Sequence, residues 1–173
     1  LERFIIWKKS GVIKHLTKKK SLDSMELKII SIGKFSRSCP YEKIFYHYVK
    51  RITNKIILEE IKIKDYVKKN SFLKKKILPF CDDPYTNVIV LDKCGVTISS
   101  ENFSKNISQK ISNGCKKIIF LIGGPDGFDE SFIKQFEIMS FGYQTWPHLL
   151  VRIMLIEQIY RAFCIINNHP YHK

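Results

Sequence analysis

From residue 25 onward, short runs of apolar residues alternate with longer stretches that are apolar on one side only. The short runs predict β-strands, because their apolar residues either alternate with polar ones or follow one another without a break: they are MELKIISIG, KIILEEIKI, NVIVLD, KKIIFLI and IMSF. The longer stretches repeat apolar residues every three or four positions, which predicts helices: they are PYEKIFYHYVKRI, DYVKKNSFLKKKIL, SSENFSKNISQKISNG and FDESFIKQFE. Because strands and helices alternate, we expect an α/β fold with a mainly parallel sheet flanked by helices.

A last helix is predicted after the loop GYQTW, because Pro147 suits a first helical turn and Thr145 or Trp146 suits the capping position before it. The segment LLVRIMLIEQIYRAFCII is apolar nearly all round, which is typical of a buried helix. A transmembrane span is excluded, since charged residues such as Arg152 and Glu157 are costly at the centre of a bilayer. A second copy of the chain is a suitable burial partner for this helix.

Residues 1–24 differ from the rest, because they hold seven Lys and Arg residues against two acidic ones and show no clear period. The sequence therefore predicts a basic extension over residues 1–24 and one domain over residues 25–173. Since the first residue is Leu, we expect the chain to begin inside a longer gene product. The extension is compatible with the remnant of an organellar targeting segment, with a disordered basic arm or with a helix packed on the domain.

The charge is strongly unbalanced, with 30 Lys and Arg residues against 16 Asp and Glu residues and a formal net charge of +14. This excess favours nucleic acid or an anionic membrane surface as a partner, although an AT-rich genome, which enriches Lys, Asn and Ile, explains part of it. The five cysteines lie far apart without zinc-binding spacing. We therefore expect free thiols in a reducing compartment and no metal site.

Two loops are candidates for ligand binding, because ligands of such sheets lie outside the carboxyl ends of the strands. The two segments are VLDKCG and LIGGPDG, and the glycines of the second allow the backbone to approach a ligand closely. The fingerprints of P-loop and dinucleotide-binding proteins are absent, which argues against an NTPase or a dehydrogenase. Taken alone, the glycine-rich loop favours a tight turn without a ligand.

The last third of the chain carries the more specific signals. His148 and Arg152 are four residues apart on the predicted last helix, so their side chains point the same way. The sequence then ends in NNHPYHK, where imidazole and phenol groups are concentrated. Together these groups suit an RNA phosphate and a stacked base, while capping and core roles stay open for each residue taken singly.

The segments VLDKCG, SSENF, IGGPDG, TWPHLLVR, IEQIYRAF and NNHPYHK follow one another in the order and spacing of a known family. Over residues 25–173 the chain resembles the ribosomal large-subunit pseudouridine N3-methyltransferases of the SPOUT, or α/β-knot, superfamily. The resemblance implies an α/β sheet whose C-terminal part forms a deep trefoil knot, and a homodimer. Such chain threading is rare in proteins, and periodicity alone does not predict it.

The resemblance also implies S-adenosylmethionine as the cofactor, bound bent within the knot. The residues at the matching motif positions are Leu91, Gly123, Phe141, Gly142, Tyr143, Gln144, Thr145 and Trp146. Members of the family usually carry serine at the position of Gly142, so a contact from that hydroxyl is absent in this chain. No metal is implied.

The implied reaction is methylation of N3 of a pseudouridine in large-subunit rRNA on an assembled bacterial-type ribosome. The residues expected to bind the target and to stabilise the developing base anion are His148, Arg152, His169, Tyr171 and His172. No matching position identifies a general base. The C-terminal tail is expected to complete an active site, that of the partner subunit.

Two alternatives stay open from the sequence: a non-catalytic RNA-binding or ribosome-assembly factor with the knotted fold, and a methyltransferase acting on another RNA such as tRNA. The expected location is the cytoplasm of a bacterium or, with the basic extension in mind, a plastid-like or mitochondrial compartment of a eukaryote. No membrane partner is expected.

Overall fold

The computed structural model describes residues 25–36, 38–62, 69–124 and 126–173, and the predicted extension over residues 1–24 lies outside them. Strands and helices alternate along the chain, as the hydrophobic pattern predicts. The elements are β1 (Glu26–Ile32), α1 (Pro40–Val49), β2 (Lys55–Ile61), α2 (Lys69–Cys81), β3 (Thr86–Thr97), α3 (Ser100–Ser112), β4 (Lys117–Ile122), α4 (Glu130–Ile133), β5 (Glu137–Ser140) and α5 (His148–Ile166).

The five strands form one sheet in the order β2-β1-β4-β3-β5, and every adjacent pair is parallel. Strand β4 lies in the middle, where residues 118–122 are all buried. An unbroken apolar strand of this kind is typical of a sheet covered on both faces. The predicted α/β fold with a parallel sheet is therefore confirmed.

Helices cover both faces of the sheet. Helices α1, α3 and α5 share one apolar core with the sheet, which includes Phe45, Ile107 and Leu155. Helices α2 and α4 pack on the opposite face through a second core, which includes Leu73 and Phe132. The result is a three-layer arrangement in which α5 packs against both α1 and α3.

Several element boundaries differ from the predicted ones, among them those of β3, α4 and α5. Strand β3 continues to Thr97, and both Leu91 and Val96 pair with Met139, so residues 92–95 bulge out of the sheet between them. Helix α4 is only four residues long, because the chain turns toward β5 soon after Ile133. Helix α5 begins at His148 and not at the preceding proline.

The N-cap of α5 is Pro147, whose carbonyl oxygen accepts hydrogen bonds from the N–H groups of Leu150 and Val151. The prediction that Thr145 or Trp146 caps the helix is wrong, because the proline carbonyl takes the first helical bonds. One face of α5 is fully buried and the other sides are half-buried. Across the described part of the chain, we find no helix with the length and apolar character to cross a bilayer.

Candidate active site

A cleft of about 480 Å³ opens at the carboxyl ends of β4 and β5, beside the bulge in β3. This is the edge at which parallel sheets bind ligands, and the volume is ordinary for a small-molecule site. The lining residues come from the strand ends, from the two glycine-containing loops and from the start of α5: Leu91, Asp92, Lys93, Ile122, Gly123, Gly124, Asp126, Gly127, Met139, Ser140, Phe141, Gln144, Thr145, Trp146, Pro147, His148 and Val151.

Six of the eight residues expected to bind the cofactor line this cleft: Leu91, Gly123, Phe141, Gln144, Thr145 and Trp146. The other two, Gly142 and Tyr143, are not among its lining residues, and the side chain of Tyr143 is 97% exposed. The structure thus brings three separate parts of the sequence to one place, with Tyr143 turned outward on the same loop.

The loop after β4 is compact around Gly123. The N–H of Gly127 donates to the carbonyl oxygen of Gly124 at 2.9 Å, which closes the turn. A Cβ atom on Gly123 would lie 3.2 Å from the Gly127 backbone and 3.3 Å from the Phe128 ring. Any larger side chain at Gly123 must therefore displace this turn or project into the cleft.

The loop after β5 is fixed by Ser140. Its Oγ donates to the carbonyl oxygen of Gly142 at 2.7 Å and accepts from the Gly142 N–H at 3.2 Å. This tight turn holds Gly142 at a φ of +115°, a region that glycine adopts without the steric penalty of a Cβ atom. The positive φ thus explains the presence of a glycine at position 142, because a serine there would be strained.

His148 and Arg152 lie side by side, as their spacing predicts. Both side chains face the end of β1, where a Cβ on Gly33 would lie 3.2 Å from His148 Nε2 and 3.5 Å from Arg152 Nη2. His148 is half-buried and lines the cleft. Burial, and then the neighbouring guanidinium, lowers the pKa of His148, which favours the neutral imidazole.

Arg152 is fully buried, behind His148. Its Nη1 donates to Glu60 Oε1 at 2.8 Å, and its Nη2 donates to the carbonyl oxygens of Ile32 and Gly33. Glu60 Oε1 also accepts from the N–H of Phe35, whose ring lies under the guanidinium at 4.7 Å. Burial lowers the pKa of Arg152, and Glu60 opposes that effect. Through these hydrogen bonds, the guanidinium of Arg152 connects α5 to the ends of β1 and β2.

The C-terminal tail folds back along the second half of α5. Tyr171 Oη donates to Glu157 Oε1 at 3.0 Å, and His172 lies between Glu101 Oε1 at 2.8 Å and Arg161 Nη1 at 3.3 Å. His169 is exposed, and its Nδ1 accepts from the Tyr171 N–H. These three residues are therefore held by the same chain's α3 and α5.

The predicted catalytic residues thus form two groups in one copy of the chain. His148 and Arg152 lie in the first turns of α5, whereas Tyr171 and His172 fold back after its last turn onto Glu157 and Arg161. Glu157 is nine residues after His148, roughly 14 Å along the helix axis. In a single copy, His169, Tyr171 and His172 do not line the cleft.

A second, largely apolar groove runs between α1, α3 and α5, beside the tail. It is lined by Ile44, Tyr48, Thr97, Ile98, Ser99, Ser100, Phe103, Met139, Ser140, Phe141, Ile153, Met154, Glu157 and Gln158. Ile44 is 43% exposed, although it is a large apolar residue. Because it shares Met139, Ser140 and Phe141 with the cleft, the groove is continuous with the walls of that site.

Sequence reasoning missed several residues of this region. Asp126 and Lys93 line the cleft, and their position within the segments VLDKCG and LIGGPDG, at the ends of two predicted parallel strands, was the available signal. Glu60 carried no signal, because its partner Arg152 is 92 residues away in the sequence. Within the described ranges, no group of three or more His, Cys, Asp or Glu side chains is arranged to hold a metal ion.

The lysine-rich segment that leads into and forms α2 is described only in part. Lys74 and Lys75 are exposed, whereas Lys76 forms an ion pair with Glu59. Lys68 and the side chain of Lys69 lie outside the described residues.

Comparisons with known proteins match nearly the whole domain. A family model described as "Predicted SPOUT methyltransferase" matches residues 25–172. The ribosomal RNA large subunit methyltransferase H of Paramagnetospirillum magneticum is 33% identical over 156 residues, covering 86% of this chain and 99% of that protein. The proteins of the same name from Mycoplasma capricolum and Flavobacterium psychrophilum are 37% and 34% identical, each over 86% of this chain and 99% or more of the relative.

Proposed function

Because the chain belongs to the SPOUT methyltransferase family, we propose that it methylates N3 of a pseudouridine in large-subunit rRNA, on an assembled bacterial-type ribosome and with S-adenosylmethionine as the donor. The relatives reported above are named as methyltransferases of large-subunit rRNA, and the chain spans almost their full length. The observation that carries the proposal is the cleft, where six of the expected cofactor residues meet His148. The site of action is then wherever such ribosomes work, in a bacterial cytoplasm or in an organelle.

The cleft fits the cofactor by its chemistry. Its apolar walls, which include Ile122 and Val151, suit an adenine ring, while the carboxylates of Asp92 and Asp126 suit a positively charged sulfonium. When bound, S-adenosylmethionine supplies an electrophilic methyl group on that sulfonium. The turn around Gly123 would let the backbone approach the ligand closely.

His148 is the residue we assign to the target base. It lines the cleft and is uncharged near neutral pH, so it adds no positive charge beside a cationic cofactor. A neutral imidazole has one nitrogen that donates and one that accepts, which suits it to hold the target nitrogen and to share its proton. Arg152 would act through its neighbours, because its Nη atoms are occupied by Glu60 and by the end of β1.

Two copies of the chain would be needed for a complete site. In a single copy the tail residues do not line the cleft, and Tyr171 is bonded to Glu157, roughly 14 Å along α5 from His148, so their participation would require a partner's cleft. The apolar groove between α1, α3 and α5 is the surface we assign to that contact, since it adjoins both the cleft and the tail. The knot expected from the resemblance would hold the cofactor loops together in each copy.

The test is transfer of labelled methyl from S-adenosylmethionine to bacterial-type ribosomes that lack this modification, with free large subunits and tRNA as controls. Label at N3 of a pseudouridine, on the assembled ribosome only, supports the proposal. Label on tRNA identifies another RNA substrate. Cofactor binding without label on any RNA refutes the proposed substrate, and neither binding nor label indicates a non-catalytic RNA-binding or assembly factor.

Two variants separate the cleft from the tail. Gly123→Val should abolish cofactor binding measured by calorimetry, whereas Lys105→Val, which places the same side chain on the exposed face of α3, should leave it unchanged. Deletion of the residues after Asn168 should leave cofactor binding intact and abolish methyl transfer. Normal transfer by the truncated protein would show that the tail is not part of the site.

A further inference from the structure

The ring of Tyr171 is enclosed by two guanidinium groups and a second aromatic ring. Arg51 lies 5.4 Å from its centroid, and Arg161 lies 4.9 Å from it. Tyr160 meets it edge-on at a centroid distance of 4.7 Å. Cation–π contacts of this kind fix both the position and the tilt of a ring.

Arg51 is the charged group of this enclosure that comes from outside α5 and the tail, beside Tyr48 of α1. It follows α1, and its Nη2 donates to Tyr160 Oη at 2.6 Å while its guanidinium lies 4.2 Å from the Tyr160 centroid. One side chain thus contacts both aromatic rings, and it connects α1 to the tail across 120 residues of sequence. A planar, permanently charged guanidinium is suited to such a double contact in a way that an ammonium is not.

The other side of the Tyr171 ring is held by an ion pair within α5. Glu157 Oε1 accepts from Tyr171 Oη and from Nε and Nη2 of Arg161. Burial, then a hydrogen bond with Tyr48 and then the Glu157 carboxylate raise the pKa of Tyr171, so the phenol stays protonated and donates. The tyrosine is therefore fixed at its hydroxyl as well as at its ring.

The turn before Tyr171 is also defined. Asn168 has a φ of +54°, and the N–H of His169 donates to the carbonyl oxygen of Cys164 at 2.8 Å, which reverses the chain after α5. The turn leaves His169 exposed, with its ring bonded to the backbone of Tyr171. Whatever fixes Tyr171 thus also fixes the direction in which His169 is presented.

We propose that Arg51 is a positioning residue for methyl transfer: it clamps the Tyr160 and Tyr171 rings and so presents the C-terminal turn to the target RNA in one orientation. This inference rests on the proposed function. Arg51 does not contact the cleft, so its effect is on the tail and not on the cofactor.

The first experiment measures the clamp without any reaction. Hydrogen exchange is followed by mass spectrometry in the wild type, in Arg51→Met and in Arg51→Lys. We expect exchange over residues 168–172 to rise about tenfold in Arg51→Met, as loss of contacts of this strength permits, and less in Arg51→Lys. The control is Lys50→Met, which removes an exposed neighbouring charge without touching either ring. Unchanged exchange in Arg51→Met would overturn the proposal.

The second experiment measures methyl transfer with the same variants. We expect kcat to fall about tenfold to a hundredfold in Arg51→Met, with partial recovery in Arg51→Lys, because a misplaced group slows the step without altering ligand binding. KM for ribosomes, cofactor affinity by calorimetry and the thermal midpoint should stay near the wild-type values. A purely structural arginine would instead lower the thermal midpoint and leave kcat per folded molecule unchanged.

The outcomes distinguish the two proposals. Faster exchange with an unchanged kcat would refute the positioning role while leaving the proposed function intact. A wild-type protein that transfers no methyl group would refute the proposed function, and with it the role of Arg51 in methyl transfer. In that case the exchange measurement still decides whether Arg51 holds the tail.

Discussion

Serine in place of Gly142 should destabilise this protein, even though serine is usual at this position in the family that the sequence resembles. The backbone at Gly142 has a φ of +115°, where an L-amino acid brings its Cβ atom too close to its own backbone. Among the described residues, no atom lies within 4 Å of a Cβ placed on Gly142, so the cost comes from the backbone alone. Strain of this kind costs about 1–3 kcal/mol.

The strain at position 142 can be relieved only by a backbone movement that alters the cleft. A change of φ would break the two hydrogen bonds between Ser140 Oγ and the Gly142 backbone and move the loop that carries Gln144, Thr145 and Trp146. Gly142→Ser should therefore lose about 1–3 kcal/mol of unfolding free energy, or weaken cofactor binding, or show both effects. Urea denaturation measures the first effect and calorimetry with S-adenosylmethionine measures the second.

Gly114 offers a matched control. It has a φ of +86° after α3, and no described atom lies within 4 Å of a Cβ placed there. Gly114→Ser should cost a similar amount of stability and leave cofactor affinity unchanged. If Gly142→Ser matches the wild type in both stability and affinity, the argument from backbone conformation is wrong.

Three further predictions concern residues in and around the site. Gly95→Ala should cost about 1–3 kcal/mol in urea denaturation and weaken cofactor binding, because the new Cβ would lie 2.6 Å from the Met139 backbone; a wild-type denaturation midpoint would contradict this. Arg152→Met should cost about 3–5 kcal/mol by leaving Glu60 without its buried partner, and the double variant with Glu60→Gln should recover part of that loss. The pKa of His148 is lower in the folded protein than in the unfolded chain, so the unfolded chain binds a proton on His148 first as the pH falls. The free energy of unfolding should therefore decrease as the pH drops from about 6.5 toward the folded-state pKa of His148. His148→Gln should reduce that loss between about pH 7 and pH 5 and change nothing above pH 7, and an unaltered slope would contradict the assignment.

The part of the fold that the sequence predicts is the part determined by local pattern. The run from Ile118 to Ile122 is apolar without interruption, because a central parallel strand is covered on both faces, and this alone indicates where β4 lies. The location of the cleft follows from the same reasoning, since it lies at the carboxyl ends of parallel strands.

What the sequence did not predict depends on distant contacts. The bulge before Val96 is defined only by its pairing with Met139 on another strand. Helix α4 ends early although Phe132 and Phe136 keep a helical spacing, because the chain must enter β5. The docking of the tail depends on Arg51, which no periodicity connects to the end of the chain.

The central position of β4 has a consequence for how the chain folds. Strand β4 is made late in synthesis, yet it pairs with β1 on one side and with β3 on the other. Until residues 117–122 have been synthesised, β1 and β3 each keep an unpaired edge that is rich in apolar residues, and such edges associate readily with other chains. A fragment that ends before Lys117 should therefore aggregate. Since the pairings that complete the sheet join residues far apart in the sequence, folding should be slow for a domain of this size.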